Sequence, residues 1–392
     1  MPYDASFFAQ GIDRRNTGCE KWDDRSILDA GGIPLWVADM DFPCAPPIAR
    51  AIRRRAEHPC FGYNTSDPQD EAALIAFWRR RHHLEIAPGE TQMLPCVITG
   101  LKTCVRAFTK EGDQVAIVTP VYGPFYGSIE SNKRVVKAVS LIRREDTGRY
   151  ELDFDKLEDA LRGGAKLIMM CSPHNPVSRL WSREELTALC RLAYQYDVPI
   201  VCDEIHADFV YAPGNFVSIL SIPEGRKRAV MLCSASKTFN IAGLQQAALV
   251  CMNEDMMAAV RSELTGSGVT SGNTFASLAA RTAYTQCDEW LDGLVDYLDG
   301  SRRLLAKLVV ELLPKAKMSP VEATYLAWLD LRAYGYSCEE LAKRFRAKGV
   351  ALTGGTFFGE EGEGFMRVNF ACPRSQLEEG VRRMRKALEE DE

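Results

Sequence analysis

Ala229-Val-Met-Leu-Cys-Ser-Ala-Ser-Lys-Thr-Phe-Asn240 opens as an apolar run of strand length and closes on Ser-x-Ser-Lys. Two upstream runs end the same way. Residues 166–171 run into Ser172-Pro-His-Asn175-Pro176, and 198–202 run into Asp203-Glu-Ile-His206. Ser172, Asp203 and Ser234 lie 31 residues apart at each step, about one strand–helix–strand unit. Ligands of open parallel sheets bind outside the carboxyl ends of the strands, so these three positions are expected to face one crevice. Read alone, they could equally mark three loop starts.

Working outward, strand-like runs at 114–118, 134–139 and 246–251 alternate with amphipathic helical stretches. That alternation predicts an α/β fold with a mostly parallel sheet. Helical pattern also covers 46–57, 69–83 and 99–109, whereas 1–47 is irregular and rich in turn formers. A long helical stretch from Thr274 to Leu313 leads out of the sheet region. Then follow a strand at 324–331, a helix at 337–348, strands near 350–353 and 364–370, and a helix at 374–390, an α+β unit. A chain of 392 residues exceeds one ordinary core. The expected division is a large domain over 48–290 and a small one made of 1–47 with 291–392.

Hydrophobic residues are 46% and charged residues 26%, and 48 Lys and Arg face 53 Asp and Glu. Nucleic-acid binding needs clustered excess positive charge, so no nucleic-acid partner is expected. The runs Arg53-Arg54-Arg55 and Arg79-Arg80-Arg81 read as solvated or subunit-facing surface. Thirteen scattered cysteines lack CxxC spacing and predict free buried thiols with no metal site. No apolar stretch approaches the roughly 20 residues that span a bilayer, and the N-terminus lacks the pattern of a signal peptide. A soluble cytoplasmic protein is expected.

A lysine directly after a buried strand is an odd place for a solvated charge, although most lysines simply lie in surface loops. The upstream partners give Lys237 its weight. A cofactor held as an imine needs an amine, a carboxylate for a ring nitrogen, donors to a ring oxygen and a phosphate cradle. Lys237, Asp203, Asn175 with His206, and Ser234 supply those types from strand ends of one sheet.

With these strings in view the chain resembles the fold-type I pyridoxal-phosphate superfamily of class I and II aminotransferases. Within it the chain is most similar to the bacterial cystathionine β-lyase and C–S lyase group. The resemblance covers nearly the whole chain. It rests on Arg14-Arg-Asn-Thr17 with Lys21-Trp-Asp23, Trp36-Val-Ala-Asp-Met-Asp-Phe42, Phe61-Gly-Tyr63 and Thr119-Pro-Val-Tyr122. It continues in Cys171–Pro176, Asp203–Asp208, Ser234–Leu244, Ala323–Leu331, Gly362–Phe365 and Arg367–Arg374.

The resemblance implies pyridoxal 5′-phosphate as cofactor. Lys237 would hold its aldehyde and move the substrate Cα proton, and Asp203 would keep the pyridine nitrogen protonated. Asn175 and His206 would contact the ring oxygen, and Tyr122 would stack on the ring. Ser234 and the turn at Val97 and Ile98 would bind phosphate, with Tyr63 reaching the phosphate in a neighbouring subunit of a homodimer. Arg367 would take the substrate carboxylate as a bidentate fork. Arg374 matches the pattern without a chemical role.

The chain departs from the group at three places. Cys96 replaces a glycine of the phosphate turn, Gln245 stands where aminotransferases commonly carry a phosphate-binding arginine, and Ser178 replaces a loop glycine. The implied activity is carbon–sulfur β-elimination from cystathionine or other S-substituted cysteines, giving pyruvate, ammonia and a thiol. The alternatives are an aminotransferase of the same fold, and a regulatory or binding protein that retains the cofactor site.

Overall fold

The computed structural model describes residues 3–28, 31–65, 67–269 and 272–389. Its centre is a seven-stranded sheet. In spatial order the strands are Thr91–Leu94, Ala247–Cys251, Ala229–Cys233, Ile200–Asp203, Leu167–Cys171, Gln114–Thr119 and Val135–Ser140. All neighbouring pairs are parallel except those made by Ala247–Cys251, which is antiparallel to both its neighbours. The six predicted strands are present. Thr91–Leu94 is an addition that the sequence reading lacked.

Alternate residues of each central strand enter different cores, as the period of two requires. Ile168, Met170, Ile200, Cys202, Met231 and Cys233 pack into one. Leu167, Met169, Cys171, Val201, Val230 and Leu232 pack into the other. Burial on both faces explains why these runs read as continuous apolar stretches. The buried cysteines behave as small core hydrophobes, and all thirteen are free.

The strands bearing Ser172, Asp203 and Ser234 are immediate parallel neighbours. Cys171 pairs with Asp203, and Asp203 with Leu232. The equal spacing therefore does mark one shared edge.

The predicted helix from Thr274 to Leu313 is two helices, Thr274–Gln286 and Asp288–Leu312. They break at Cys287 without glycine or proline. Trp290, fully buried beside Phe8 and Phe239, fixes the start of the second helix from outside.

The second helix leads to a four-stranded sheet in which Leu326–Asp330 and Phe365–Asn369 are central and antiparallel. The expected strand near 350–353 is split. Val350–Ala351 pairs with Ile33–Pro34, and Thr353–Gly354 joins the four-stranded sheet. The final helix spans Arg374–Glu389, and residue 390 of the predicted span lies outside the described residues. The 79–81 arginine run is used within the chain, pairing with Glu85, Asp288 and Asp292.

The N-terminal segment crosses the crevice as a strap. Asn369 donates to the carbonyls of Val37 and Asp39, both at 2.6 Å. Asn240 brackets Met40, accepting from its N–H and donating to its carbonyl. Beneath the strap lies a buried charge cluster. Lys21, fully buried, meets Asp41 at 3.0 Å and Asp39 at 3.5 Å, and Arg14 bonds the same two acids. The strap thus carries residues 36–42 to the carboxyl ends of the central strands.

Candidate active site

Lys237 sits in the single turn Ala235–Thr238, which Ser234 caps. The Ser234 hydroxyl accepts from the Ser236 N–H at 2.9 Å and donates to the Gln246 carbonyl at 2.5 Å. That hydroxyl, expected at a phosphate, is here engaged with the backbone. The half-buried Lys237 donates through its amine to the Ala38 carbonyl at 2.6 Å. Burial pulls its pKa down to about 8, against the pull of the Asp39 charge. A substantial neutral fraction near physiological pH suits an amine that attacks a carbonyl. The neighbouring Thr238 is tied through Asp208 (2.6 Å) to His82 (2.9 Å), which anchors this turn to the helix Pro68–His82.

Asp203 is 6% exposed and accepts from the Ile205 N–H at 3.1 Å. Burial raises its pKa to about 7, the mark of a carboxylate with no cation bonded to it. His206 is buried with Nδ1 unpartnered, and burial lowers its pKa to about 3, so the ring is neutral. Arg367 is 3% exposed. It donates to Asn175 Oδ1 at 3.1 Å, to the Trp36 carbonyl at 2.8 Å and to Thr353 at 3.3 Å, while its Nε has no partner. Burial lowers the guanidinium pKa to about 10. Tyr122 lies edge-on to Phe357 at 6.1 Å, and burial pushes its phenol up.

The structure thus brings Lys237, Asp203, Asn175, His206, Arg367 and Tyr122 to one crevice. The turn Cys96–Val97 borders it through strand pairing. Leu94 lies opposite Ala247, next to the Gln246 whose carbonyl holds Ser234. The helix Val97–Phe108 presses closely on the sheet, since a Cβ on Gly100 would meet Leu232 at 2.6 Å. Cys96 is extended, with φ −160° and ψ 166°. The glycine departure therefore carries no strain, and the first N–H groups of the helix remain available to an anion.

Ser178 is different. It holds φ +56°, where glycine is favoured, and its buried hydroxyl donates to the Leu326 carbonyl. Gln245 is exposed with φ +57°. Tyr63 lies outside the crevice, wholly exposed. A cleft of about 790 Å³ lined by Asn64, Leu94, Pro95, Gln245 and Gln246 opens beside the turn. Arg374, left without a role, ties two helices. It bonds the Tyr297 carbonyl at 3.1 Å and stacks on the Tyr297 ring at 4.4 Å.

Sequence reasoning missed several groups of the site. The Ala38 and Trp36 carbonyls are backbone and carry no side-chain signal. Tyr325 donates to the same Ala38 carbonyl at 2.9 Å and packs 5.6 Å from His206. Its string, Ala323–Leu331, carries part of the family resemblance, but nothing in it distinguishes a site tyrosine from a core one.

This constellation on this sheet defines a class, the fold-type I pyridoxal-phosphate enzymes. The chain belongs to the family described as aminotransferase class I and II, whose model matches residues 31–384. It is 38% identical over 388 residues to cystathionine beta-lyase PatB of Bacillus subtilis, covering 97% of this chain and 99% of that protein. Protein MalY of Escherichia coli is 34% identical, covering 95% and 96%. Among solved structures, cystalysin from Treponema denticola, which contains a pyridoxal 5′-phosphate cofactor, superposes with a TM-score of 0.94 at 29% identity over both whole chains. Curated relatives named as aspartate aminotransferase and YugH aminotransferase are less similar, at 24% and 26% identity.

The residues present fit the cofactor on their own chemistry. A buried carboxylate without a cation, an amine of lowered pKa, and buried unpartnered atoms on Ser172, His206 and Arg367 are what a charged aromatic aldehyde and its amino-acid partner would satisfy. The protein is a pyridoxal-phosphate enzyme.

Proposed function

We propose that this chain is a carbon–sulfur β-lyase that cleaves cystathionine or other S-substituted cysteines to pyruvate, ammonia and a thiol. The observation that carries the reading is the joint placement of Lys237, Asp203 and Arg367. A neutral-capable amine, a buried acid and a buried guanidinium converge on one crevice. The near-full-length likeness to a cystathionine β-lyase favours elimination over transamination.

Bound pyridoxal phosphate supplies an electron sink for the bond broken at Cα. The chain's residues do the rest. Arg367 receives the substrate carboxylate while Asn175 and the Trp36 carbonyl hold its fork in place. Lys237 takes the Cα proton, and the Ala38 carbonyl gives the free amine a second resting partner. Asp203 would hold a proton at the ring nitrogen, a cation that would offset the cost of its burial. Asn175 and the neutral His206 would hold the ring oxygen, and Tyr122 would cover one ring face. The N–H groups of Val97 and Ile98 would form the phosphate end, and Ser234 would shape the adjoining turn through its bonds to Ser236 and the Gln246 carbonyl.

The reading extends to a cytoplasmic homodimer. Tyr63, exposed beside the open cleft, would serve the phosphate in the neighbouring copy. It also includes the division into a large domain over 48–290 and a small one of 1–47 with 291–392. No helix among the described residues is long and apolar enough to cross a membrane.

The test is purified, cofactor-loaded protein with cystathionine. Release of pyruvate, ammonia and thiol is expected. Amino transfer to a 2-oxo acid with no elimination would assign the chain to the aminotransferase reading instead.

A further inference from the structure

The loop from Gly355 to Gly362 closes on itself. A Cβ on Gly355 would collide with the Gly362 carbonyl oxygen, so the two ends pass only because both are glycine. Within the loop Gly359 holds φ +135°, and a Cβ there would stand 2.7 Å from both the Tyr126 hydroxyl and a Glu361 carboxylate oxygen. The closed loop docks on the segment that bears Tyr122. Its Phe358 carbonyl accepts from the Val121 N–H at 2.8 Å and from the Tyr126 hydroxyl at 3.3 Å. Glu361 accepts from the hydroxyls of Thr119 at 2.6 Å and Ser140 at 2.5 Å, each the last residue of a sheet strand.

From that pinned backbone the Phe358 ring reaches Arg367. The ring is fully buried, and the guanidinium carbon lies over it, 4.9 Å from the centroid. Trp328 meets the same ring edge-on at 5.5 Å. The guanidinium edges bond Asn175, the Trp36 carbonyl and Thr353, none of them charged. Bonds along the edges fix where the fork points, and the ring against the face fixes the tilt of its plane. A carboxylate taken up by two parallel bonds needs both.

Most buried phenylalanines only fill a core, and Phe358 does that too. A filling role requires neither a cation on its face nor a carbonyl held beside Tyr122. Phe358 has both, and so joins the segment that bears Tyr122 to the arginine.

We propose that Phe358 is a positioning residue for Arg367, its ring holding the guanidinium plane at the tilt that receives the substrate carboxylate. The proposal rests on the assignment of that carboxylate to Arg367. The attraction comes from the electron-rich face of an aromatic ring. Leucine fills much of the same space and cannot supply it.

The test compares two ligands of the loaded enzyme, 2-methylalanine and tert-butylamine. They carry a carboxylate or a methyl group on the same carbon, and neither has a proton there to lose. Binding is followed by the cofactor's absorbance, and the ratio of the two affinities reads the carboxylate alone. F358L is expected to lower that ratio about 3- to 30-fold, with tert-butylamine bound as in wild type. With cystathionine the same variant should raise KM and leave kcat nearly unchanged. A ratio that falls in R367K but not in F358L overturns the proposal and leaves the assignment of Arg367 standing. A ratio unchanged in both variants overturns the two together. Equal weakening of both ligands in F358L would mark a merely structural role and sinks the proposal as well. Because the comparison needs no turnover, it decides the matter even if no substrate yields pyruvate. Should F358L fail to fold, E361A loosens the same loop from its exposed side. A ratio that falls about 2- to 10-fold in E361A and returns in E361Q, whose amide oxygen can still accept from Thr119 and Ser140, supports the proposal. An unchanged ratio in E361A then counts against it.

Discussion

Replacing Arg367 by lysine keeps the charge but removes the fork. In the structure one Nη serves Asn175 and the other serves the Trp36 carbonyl and Thr353, leaving Nε and the outer edges to a carboxylate. An ammonium on a flexible stem cannot keep these neighbours and also form two parallel bonds to substrate. One charged hydrogen bond is worth about 1.5–3 kcal/mol. At about 1.4 kcal/mol per tenfold, Arg367→Lys should lower kcat/KM for cystathionine about 10- to 150-fold, mostly as a raised KM. The assay is pyruvate release across substrate concentration, with the cofactor's absorbance checked in parallel. Arg367 does not hold the cofactor in this account, so loading should persist. A loss below about threefold, or a loss confined to kcat, would refute the assignment of the substrate carboxylate to this residue.

Three further outcomes follow from the geometry. Glu204 is buried with Oε2 unpartnered, and burial raises its pKa from 4.5 to about 8. The folded state therefore holds a proton that the unfolded state has released between these values, and stability falls as pH rises through that window. Glu204→Gln should melt at the same temperature as wild type below pH 4.5 and progressively higher above it, and a constant gap across pH would contradict this. Ser178→Ala keeps the left-handed backbone and loses the bond to Leu326, so a cost of about 1–2 kcal/mol is expected in denaturant unfolding. Ser178→Gly relieves the backbone as it loses the bond and should cost less, and the reverse order would show that the hydroxyl is not what offsets the strain. Tyr63→Ala and Lys237→Ala, each inactive alone, should recover activity when refolded together, because hybrids of the proposed homodimer would rebuild one whole site. No recovery in verified hybrids would place Tyr63 outside the shared site.

Much of the fold was legible because the central strands are buried on both faces and so read as unbroken apolar runs. The common crevice was legible from three polar strand ends at equal spacing. Other features depended on tertiary structure. Thr91–Leu94 has two half-buried positions and only four residues, too short to show a period. The antiparallel sense of Ala247–Cys251 is a matter of connection, not composition. The break at Cys287 has no local breaker and is imposed by the packing of Trp290. In the site, the side chains with distinctive chemistry were readable, whereas the Ala38 and Trp36 carbonyls that hold Lys237 and Arg367 were not. Ser178 and Cys96 both replace an expected glycine, yet only one occupies a glycine conformation. That difference lies in dihedrals no residue name reveals.

The account depends most on the amine of Lys237 being the one that holds the cofactor. Borohydride reduction of the yellow enzyme followed by peptide mass mapping tests this directly. The account predicts a single pyridoxyl group on Lys237. A pyridoxyl group on another lysine, or none on protein that has bound the cofactor, would contradict it.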